Sequence, residues 1–147
     1  MDSFMLGTFE HTIDAKKRIF VPAKFRTCLG ESFVITRDLF VNCLKIYSVE
    51  GWKKFISVFV NGEDDEESDK MMRYLSKHSI QVEPDAQGRV ILSQDLIDHA
   101  GITKNVVVLG MNDCVEIWSA ERYQKDNEDE DPDFIKKLAK SVKKSTL

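Results

Sequence analysis

Apolar and polar residues alternate in short runs along much of this chain, the period-two pattern of strands with one buried face. Residues 8–13 and 18–21 flank a tight loop, which predicts a hairpin. Pro22 suits the first turn of a short helix over 22–29, where its missing N–H is not needed, and Gly30 stops that helix. Further strands are predicted at 33–36 and 44–47. The series then recurs, with strands at 80–83 and 89–92, a helix over 93–100 capped by Ser93 and ended by Gly101, and strands at 106–109 and 115–118. Helical spacing takes over between and after these series. Residues 50–60 place Trp52, Phe55, Ile56 and Phe59 on one face, and 69–78 turn Met71, Met72 and Leu75 inward. Helices over 120–125 and 133–144 follow, the last with Phe134, Ile135, Leu138, Ala139 and Val142 apolar. Acids precede that last helix and lysines end it, which suits the helix dipole.

The recurrence has a fixed offset of 71 residues. Asp14-Ala15-Lys16-Lys17-Arg18-Ile19-Phe20-Val21-Pro22 aligns with Asp85-Ala86-Gln87-Gly88-Arg89-Val90-Ile91-Leu92-Ser93. At the same offset, Cys43-Leu44-Lys45-Ile46-Tyr47-Ser48-Val49-Glu50 aligns with Cys114-Val115-Glu116-Ile117-Trp118-Ser119-Ala120-Glu121, four of the eight positions being identical. Two blocks in one register mean two copies of one unit. The chain divides into repeats at 7–50 and 78–121, a helical linker with an acidic segment at 51–77, and a charged helical tail at 122–147. Four short strands and one helical turn make a marginal unit alone, so the two copies are expected to share a core.

The 147 residues carry 21 Lys and Arg against 25 Asp and Glu, a net charge of −4. That total speaks against a uniformly basic nucleic-acid binder, but the charge is not uniform. Six acids lie at 63–69 and six more at 126–133, neither segment contains a Lys or Arg, and the rest of the chain is left at +8. Lys16, Lys17, Arg18, Lys24 and Arg26 oppose only Asp14 over 14–26. Cys28, Cys43 and Cys114 are an odd count without CxxC spacing; they read as small buried hydrophobes in a reducing cytosol, with neither a disulfide framework nor a zinc site. No apolar run approaches the ~18 residues of a membrane span, and no secretory signal is visible.

One constellation occurs twice: Asp-x-x-x-Arg, as Asp14 with Arg18 and as Asp85 with Arg89. Each Asp opens a tight loop in which its carboxylate can accept backbone N–H groups. Each Arg leaves on the returning strand, within reach of that Asp. The pair is either a structural ion pair closing a turn, or a carboxylate orienting a guanidinium that grips phosphate or a guanine edge. Lys16, Lys17 and Lys24 favour the second reading in the first copy; the second copy offers Gln87 and Arg89. Enzymatic readings fare poorly. Each Asp has its own Arg, which holds it ionised and leaves no shared proton for a dyad. His11, His78 and His99 lack metal-ligand spacing, and GxSxG, Gly-rich phosphate loops and a Cys/His nucleophile motif are absent.

Residues 10–18, with Val21-Pro22-Ala23-Lys24-Phe25-Arg26, resemble the first half of the bacterial MraZ family. Residues 82–92, Ala100-Gly101-Ile102 and Val115-Glu116-Ile117-Trp118 resemble its second half, and the similarity runs over about 5–123. The resemblance implies an α+β fold of two tandem SpoVT-AbrB-like repeats, interlocked as a pseudo-twofold swapped-hairpin β-barrel with flanking helices. It implies a transcriptional regulator of the division and cell wall gene cluster that binds direct repeats in its own promoter as a ring-shaped homo-oligomer. Asp14, Arg18, Asp85 and Arg89 occupy the positions this family uses in DNA contact. Lys17 stands where a Gly is usual, Ser93 replaces a usual Pro, and Ile97 stands where a basic residue is common.

The expected function is therefore sequence-specific binding of double-stranded DNA in the cytoplasm, at the nucleoid. Asp14, Lys16, Lys17, Arg18, Lys24, Asp85, Gln87 and Arg89 form the expected site. No enzyme activity, cofactor, metal, membrane or small-molecule substrate is expected. The rival from another class is a protein-interaction module, an antitoxin-like barrel that clamps a protein partner.

Overall fold

A computed structural model describes residues 3–60, 65–127 and 130–145. Glu63 and Asp64 of the first acidic segment, and Glu128 and Asp129 of the second, lie outside the described residues. The first copy comprises β1 (Met5–Thr12), β2 (Arg18–Phe20), α1 (Ala23–Leu29), β3 (Phe33–Arg37) and β4 (Leu44–Ser48). Helices α2 (Val49–Ser57) and α3 (Glu66–Lys77) follow. The second copy repeats the order as β5 (Ser79–Val82), β6 (Arg89–Ile91), α4 (Gln94–Ala100), β7 (Asn105–Asn112) and β8 (Val115–Ser119), then α5 (Ala120–Asp126) and α6 (Pro132–Ser145).

Equivalent residues do the same local work in both copies. Pro22 precedes α1 and its carbonyl accepts the Phe25 and Arg26 N–H groups, at 2.9 and 3.0 Å. Ser93 caps α4 by accepting the Leu96 N–H at 3.3 Å, so hydroxyl capping replaces proline geometry there. Ser48 and Ser119, again 71 apart, cap α2 and α5 by accepting the Gly51 and Arg122 N–H groups.

The copies exchange strands. One sheet runs β1-β7-β8-β4-β3-β5, and β2 pairs with β6 as a separate two-stranded ribbon; every pairing is antiparallel. Strand β1 lies on β7 of the other copy, from Met5↔Asn112 to Thr12↔Asn105, and β5 lies on β3 by the equivalent exchange. The hairpin expected between 8–13 and 18–21 is corrected here. A three-residue β2 would leave most backbone groups of the eight-residue β1 unpaired, whereas β7 pairs with all eight. The long sheet ends at β1 and β5 and is open.

One core joins both copies. Phe25 and Leu29 of α1, and Leu96 and Ala100 of α4, pack with Ile35, Leu44, Ile46, Val106, Val108 and Ile117 of the long sheet, and with Ile19 and Val90 of the ribbon. Phe25 is fully buried and meets Phe9 edge to face at 5.3 Å. Burying such a ring contributes roughly 1.5–3 kcal/mol. The exchanged arrangement gives each marginal unit the other's apolar face. Cys43 and Cys114 are buried and Cys28 half-buried, all as free thiols. Among the described residues, no helix is long and apolar enough to cross a membrane.

The flanking helices are covered unevenly. On α3, Leu75 is buried while Met71 and Met72 are half-buried. On α2, Trp52, Phe55 and Ile56 are only half-buried, with Tyr47 stacked on Phe55 at 5.0 Å. Every described side chain of α6 is exposed.

Candidate nucleic-acid interface

Both Asp-x-x-x-Arg segments fold into the same closed turn. In the first, Asp14 Oδ1 accepts the Lys16 and Arg18 N–H groups, each at 2.9 Å, and Oδ2 accepts Arg18 Nε at 2.7 Å. The Asp14 N–H donates to the Arg18 carbonyl at 3.0 Å, and the Lys17 N–H donates to the Asp14 carbonyl at 3.0 Å. In the second, Asp85 Oδ1 accepts the Gln87 and Arg89 N–H groups, each at 2.9 Å, and Oδ2 accepts Arg89 Nε at 2.9 Å. The backbone of each Arg is thus fixed by the carboxylate that also holds its side chain. Asp14 and Asp85 are held below the usual carboxylate range, first by the N–H of Arg18 and of Arg89 respectively.

The turns need one residue of positive φ, and the copies supply it differently. Gly88 has φ +83°, whereas its equivalent Lys17 adopts φ +63° despite its side chain. A non-glycine residue in that region costs roughly 1–2 kcal/mol. What it gains is one more cation beside Arg18.

The ribbon sets the two turns side by side. Its register is Arg18↔Ile91, Ile19↔Val90 and Phe20↔Arg89. Reciprocal bonds extend it: the Leu92 N–H donates to the Lys17 carbonyl and the Val21 N–H to the Gly88 carbonyl, both at 2.9 Å. Ile19 and Val90 point into the core, so strand alternation turns Arg18, Phe20, Arg89 and Ile91 to the opposite face. Arg18, Asp85, Arg89 and Ile91, with Val82 and Glu83, line a shallow hollow of about 330 Å³ there. Lys16, Lys17 and Gln87 are exposed at the turns. Lys24, also exposed, holds its Nζ 5.6 Å from the centre of the Phe9 ring. The structure therefore brings Asp14, Arg18, Asp85 and Arg89 together, flanked by Lys16, Lys17 and Gln87, while Lys24 stands on α1.

Sequence reasoning missed where Arg26 goes. It was counted with the first copy's cations, but its guanidinium lies against Gly88 in the second copy's turn. Arg26 Nε donates to the Val21 carbonyl at 2.9 Å, and the guanidinium sits over the Phe20 ring at 5.8 Å. The second turn, short of cations in its own sequence, borrows one by strand exchange. A charge count along one copy cannot see this.

A second polar cluster lies away from the ribbon. Asp38, Cys43 and Glu116 bring ligand-type atoms within 4.8 Å of one another. Those groups are already engaged: Asp38 accepts the Phe40 and Val41 N–H groups and pairs with Lys45 Nζ at 3.3 Å, and Glu116 accepts Trp118 Nε1 at 2.9 Å. Burial pushes the Cys43 thiol far above its ordinary value, with the charges of Glu116 and Asp38 adding to it. The set serves to close the β3–β4 loop, and it is a poor cation site while Lys45 occupies its charge.

Comparison with known proteins agrees with the repeat. The chain matches the family described as "MraZ protein, putative antitoxin-like" twice, over residues 4–73 and 75–144. It is 39% identical over 139 residues to the transcriptional regulator MraZ of Lachnoclostridium phytofermentans, covering 92% of this chain and 98% of that protein. It is 39% identical over 134 residues to the protein of that name from a Thermoanaerobacter species, covering 88% of this chain and 91% of that protein. With that of Dictyoglomus turgidum it shares 36% identity over 126 residues, 85% of this chain and 86% of the relative. Two family matches in tandem and relatives aligned along nearly their whole length place this chain in the MraZ family.

Proposed function

We propose that this chain is a sequence-specific DNA-binding regulator of transcription, acting on the division and cell wall gene cluster through direct repeats in its own promoter. The observation that carries the reading is the β2–β6 ribbon, which sets two carboxylate-held guanidinium groups on one face with Lys16 and Lys17 beside them. In both pairs the Asp engages Nε, and the rest of the guanidinium fork is suited to a phosphate or a guanine edge. A two-stranded ribbon is narrow enough to enter a major groove. Asp14 and Asp85 act as positioning residues. Lys16, Lys17, Lys24, Gln87 and Arg26 add phosphate or base-edge contacts.

The strand exchange supports reading the whole as a swapped-hairpin barrel, with repeats at 7–50 and 78–121 and helical segments at 51–77 and 122–147. One ribbon offers few contacts. A closed ring of copies adds avidity over repeated boxes, and places the protein at the nucleoid. The relatives' printed name, transcriptional regulator, supports the regulatory role.

The test is an anisotropy titration with the operon's own upstream DNA and with a scrambled duplex. Tighter binding to the natural sequence, falling steeply with salt, is expected. Equal binding to both duplexes sinks specificity. No DNA binding at physiological salt, together with a stoichiometric protein partner in a pull-down, replaces it with the clamp of a protein partner.

A further inference from the structure

The two halves of the ribbon's outer face are finished differently. By the 71-residue offset, His11 and Phe20 of the first copy correspond to Val82 and Ile91 of the second. In the first copy the two rings meet edge to face at 5.0 Å, and the Arg26 guanidinium sits over Phe20. Phe20 is half-buried under that cover. In the second copy both side chains are smaller, and the residue equivalent to Arg26 is Ile97, which is buried in the core. Ile91 is therefore left 60% exposed. With Val82 it supplies the apolar lining of the 330 Å³ hollow whose other walls are Arg18, Arg89, Asp85 and Glu83. A lone exposed apolar residue needs no explanation. This one stands among cations, directly across the ribbon from Arg18 and two residues along its own strand from Arg89.

We infer that Ile91 is a specificity-determining residue, seating the C5-methyl of a thymine in the base pair next to the one that Arg18 reads. The lining of the hollow selects this occupant. Val82 and Ile91 offer a phosphate no donor, and the exposed Glu83 carboxylate at the rim repels it. In the major groove the thymine methyl is the apolar group that a base pair presents. Spacing selects the neighbouring pair: cross-strand side chains stand about 5 Å apart, and successive bases about 3.4 Å. Arg18 then selects its base by hydrogen bonds, and Ile91 the adjacent one by burying a methyl. Since the first copy fills the equivalent place with its own rings, the face has a direction, as a box in a direct repeat requires. This inference rests on the DNA-binding reading and names part of the sequence selected.

The test is an anisotropy titration of the full chain with the operon's own upstream duplex and with duplexes in which thymines are replaced, one at a time, by deoxyuridine. The replacement removes the methyl and keeps the pairing edge. The wild type is expected to lose about fourfold in affinity at one thymine of a box, the worth of one buried methylene. Ile91→Ala should bind the natural duplex more weakly by a similar factor and lose the preference at that thymine, while Ile91→Val keeps part of it. Circular dichroism and sedimentation should show both variants folded and assembled like the wild type, because the side chain is exposed. A wild type indifferent to every replacement, or a loss of the same size in wild type and Ile91→Ala, overturns the assignment. If the natural duplex is still preferred over a scrambled one, the DNA reading survives that result. Equal binding to natural and scrambled duplexes strikes the DNA reading itself, and this inference falls with it. Methyl-independent DNA binding, with a protein partner lost from a pull-down by Ile91→Ala, would instead give the hollow to a protein contact.

Discussion

Arg26 of the first copy lies flat against Gly88 of the second: a Cβ added at Gly88 would stand 2.8 Å from the guanidinium carbon. Gly88 also has φ +83°, a region that L side chains seldom adopt. Gly88→Ala therefore acts twice. The backbone strain costs roughly 1–2 kcal/mol, and the guanidinium must leave its place over Phe20. Urea denaturation reads the first effect, and DNA titration the second. Arg26→Ala in the same titration should show the DNA loss with little of the strain.

Lys17→Gly separates stability from binding by the opposite route. It removes a side chain from φ +63°, where the sibling turn already uses glycine. Relief of that strain, less the entropy that glycine adds to the unfolded chain, leaves a gain of about 0.5–1 kcal/mol. DNA affinity should fall at the same time and its salt dependence flatten, because one phosphate contact goes. A variant both more stable and unchanged in DNA affinity would place Lys17 outside the interface.

Arg18→Ala and Arg89→Ala are each expected to weaken specific DNA binding by about 1–3 kcal/mol, the range for a guanidinium reading a base edge. Phosphate contact alone would instead weaken all sequences alike. Comparison of natural and scrambled duplexes distinguishes these. Each Arg also anchors its Asp, so sedimentation of the variants must accompany the titration; loss of assembly with unchanged intrinsic affinity would mark the pairs as turn braces.

Much of this site was legible in the sequence because its chemistry is local. An Asp four residues before an Arg is enough to specify the closed turn, and a 71-residue offset is enough to find it twice. Ser93 announces its cap in the same way. What was not legible is which strand lies beside which. Residues 8–13 carry a strand pattern and residues 18–21 another, and period two says nothing of the partner. The hairpin reading followed sequence proximity; the eight-residue length of β1 favoured the equally long β7. A charge count along 14–26 leaves Arg26 unplaced for the same reason, since only the pairing of the two copies puts it against Gly88. The stripe on α6 was visible, but that it stays uncovered on one subunit is a fact of tertiary structure.

The β1–β7 exchange brings two backbones into close approach at Gly110. A Cβ at Gly110 would lie 2.5 Å from the carbonyl carbon and oxygen of Met5 and 2.6 Å from the Leu6 nitrogen, all of them backbone atoms. No rotamer change can clear that space, so Gly110→Ala must push β1 off its partner. The expected cost is about 1–3 kcal/mol. Hydrogen exchange locates it: amides of β1 should lose protection before those of the central β4–β8 pair. Uniform loss across the sheet would mean that β1 does not open on its own.

His99 and Asp95 each make stability fall with acid, in separate windows. His99 is held below its ordinary value of 6.5 first by burial, with the Arg37 and Arg122 charges adding to it. Its Nε2 is buried without a hydrogen-bond partner among the described residues. The unfolded chain takes up this proton more readily than the folded one, so stability falls as pH drops below about 6.5, until the folded group also protonates. Asp95 works in a lower window. His78, which meets its Oδ2 at 2.7 Å, and Arg37, bonded to its Oδ1, hold the carboxyl below 3.8, His78 foremost. That contribution is present above 3.8 and disappears as pH falls through the folded value. Denaturation midpoints at pH 7.5, 5.5 and 3 resolve the steps. His99→Gln should flatten the first interval and leave the second, while Asp95→Asn should lower stability at pH 7.5 and make the second less steep, with Asp14 and Asp85 keeping part of that slope. A first interval that stays steep in His99→Gln would assign it to another group.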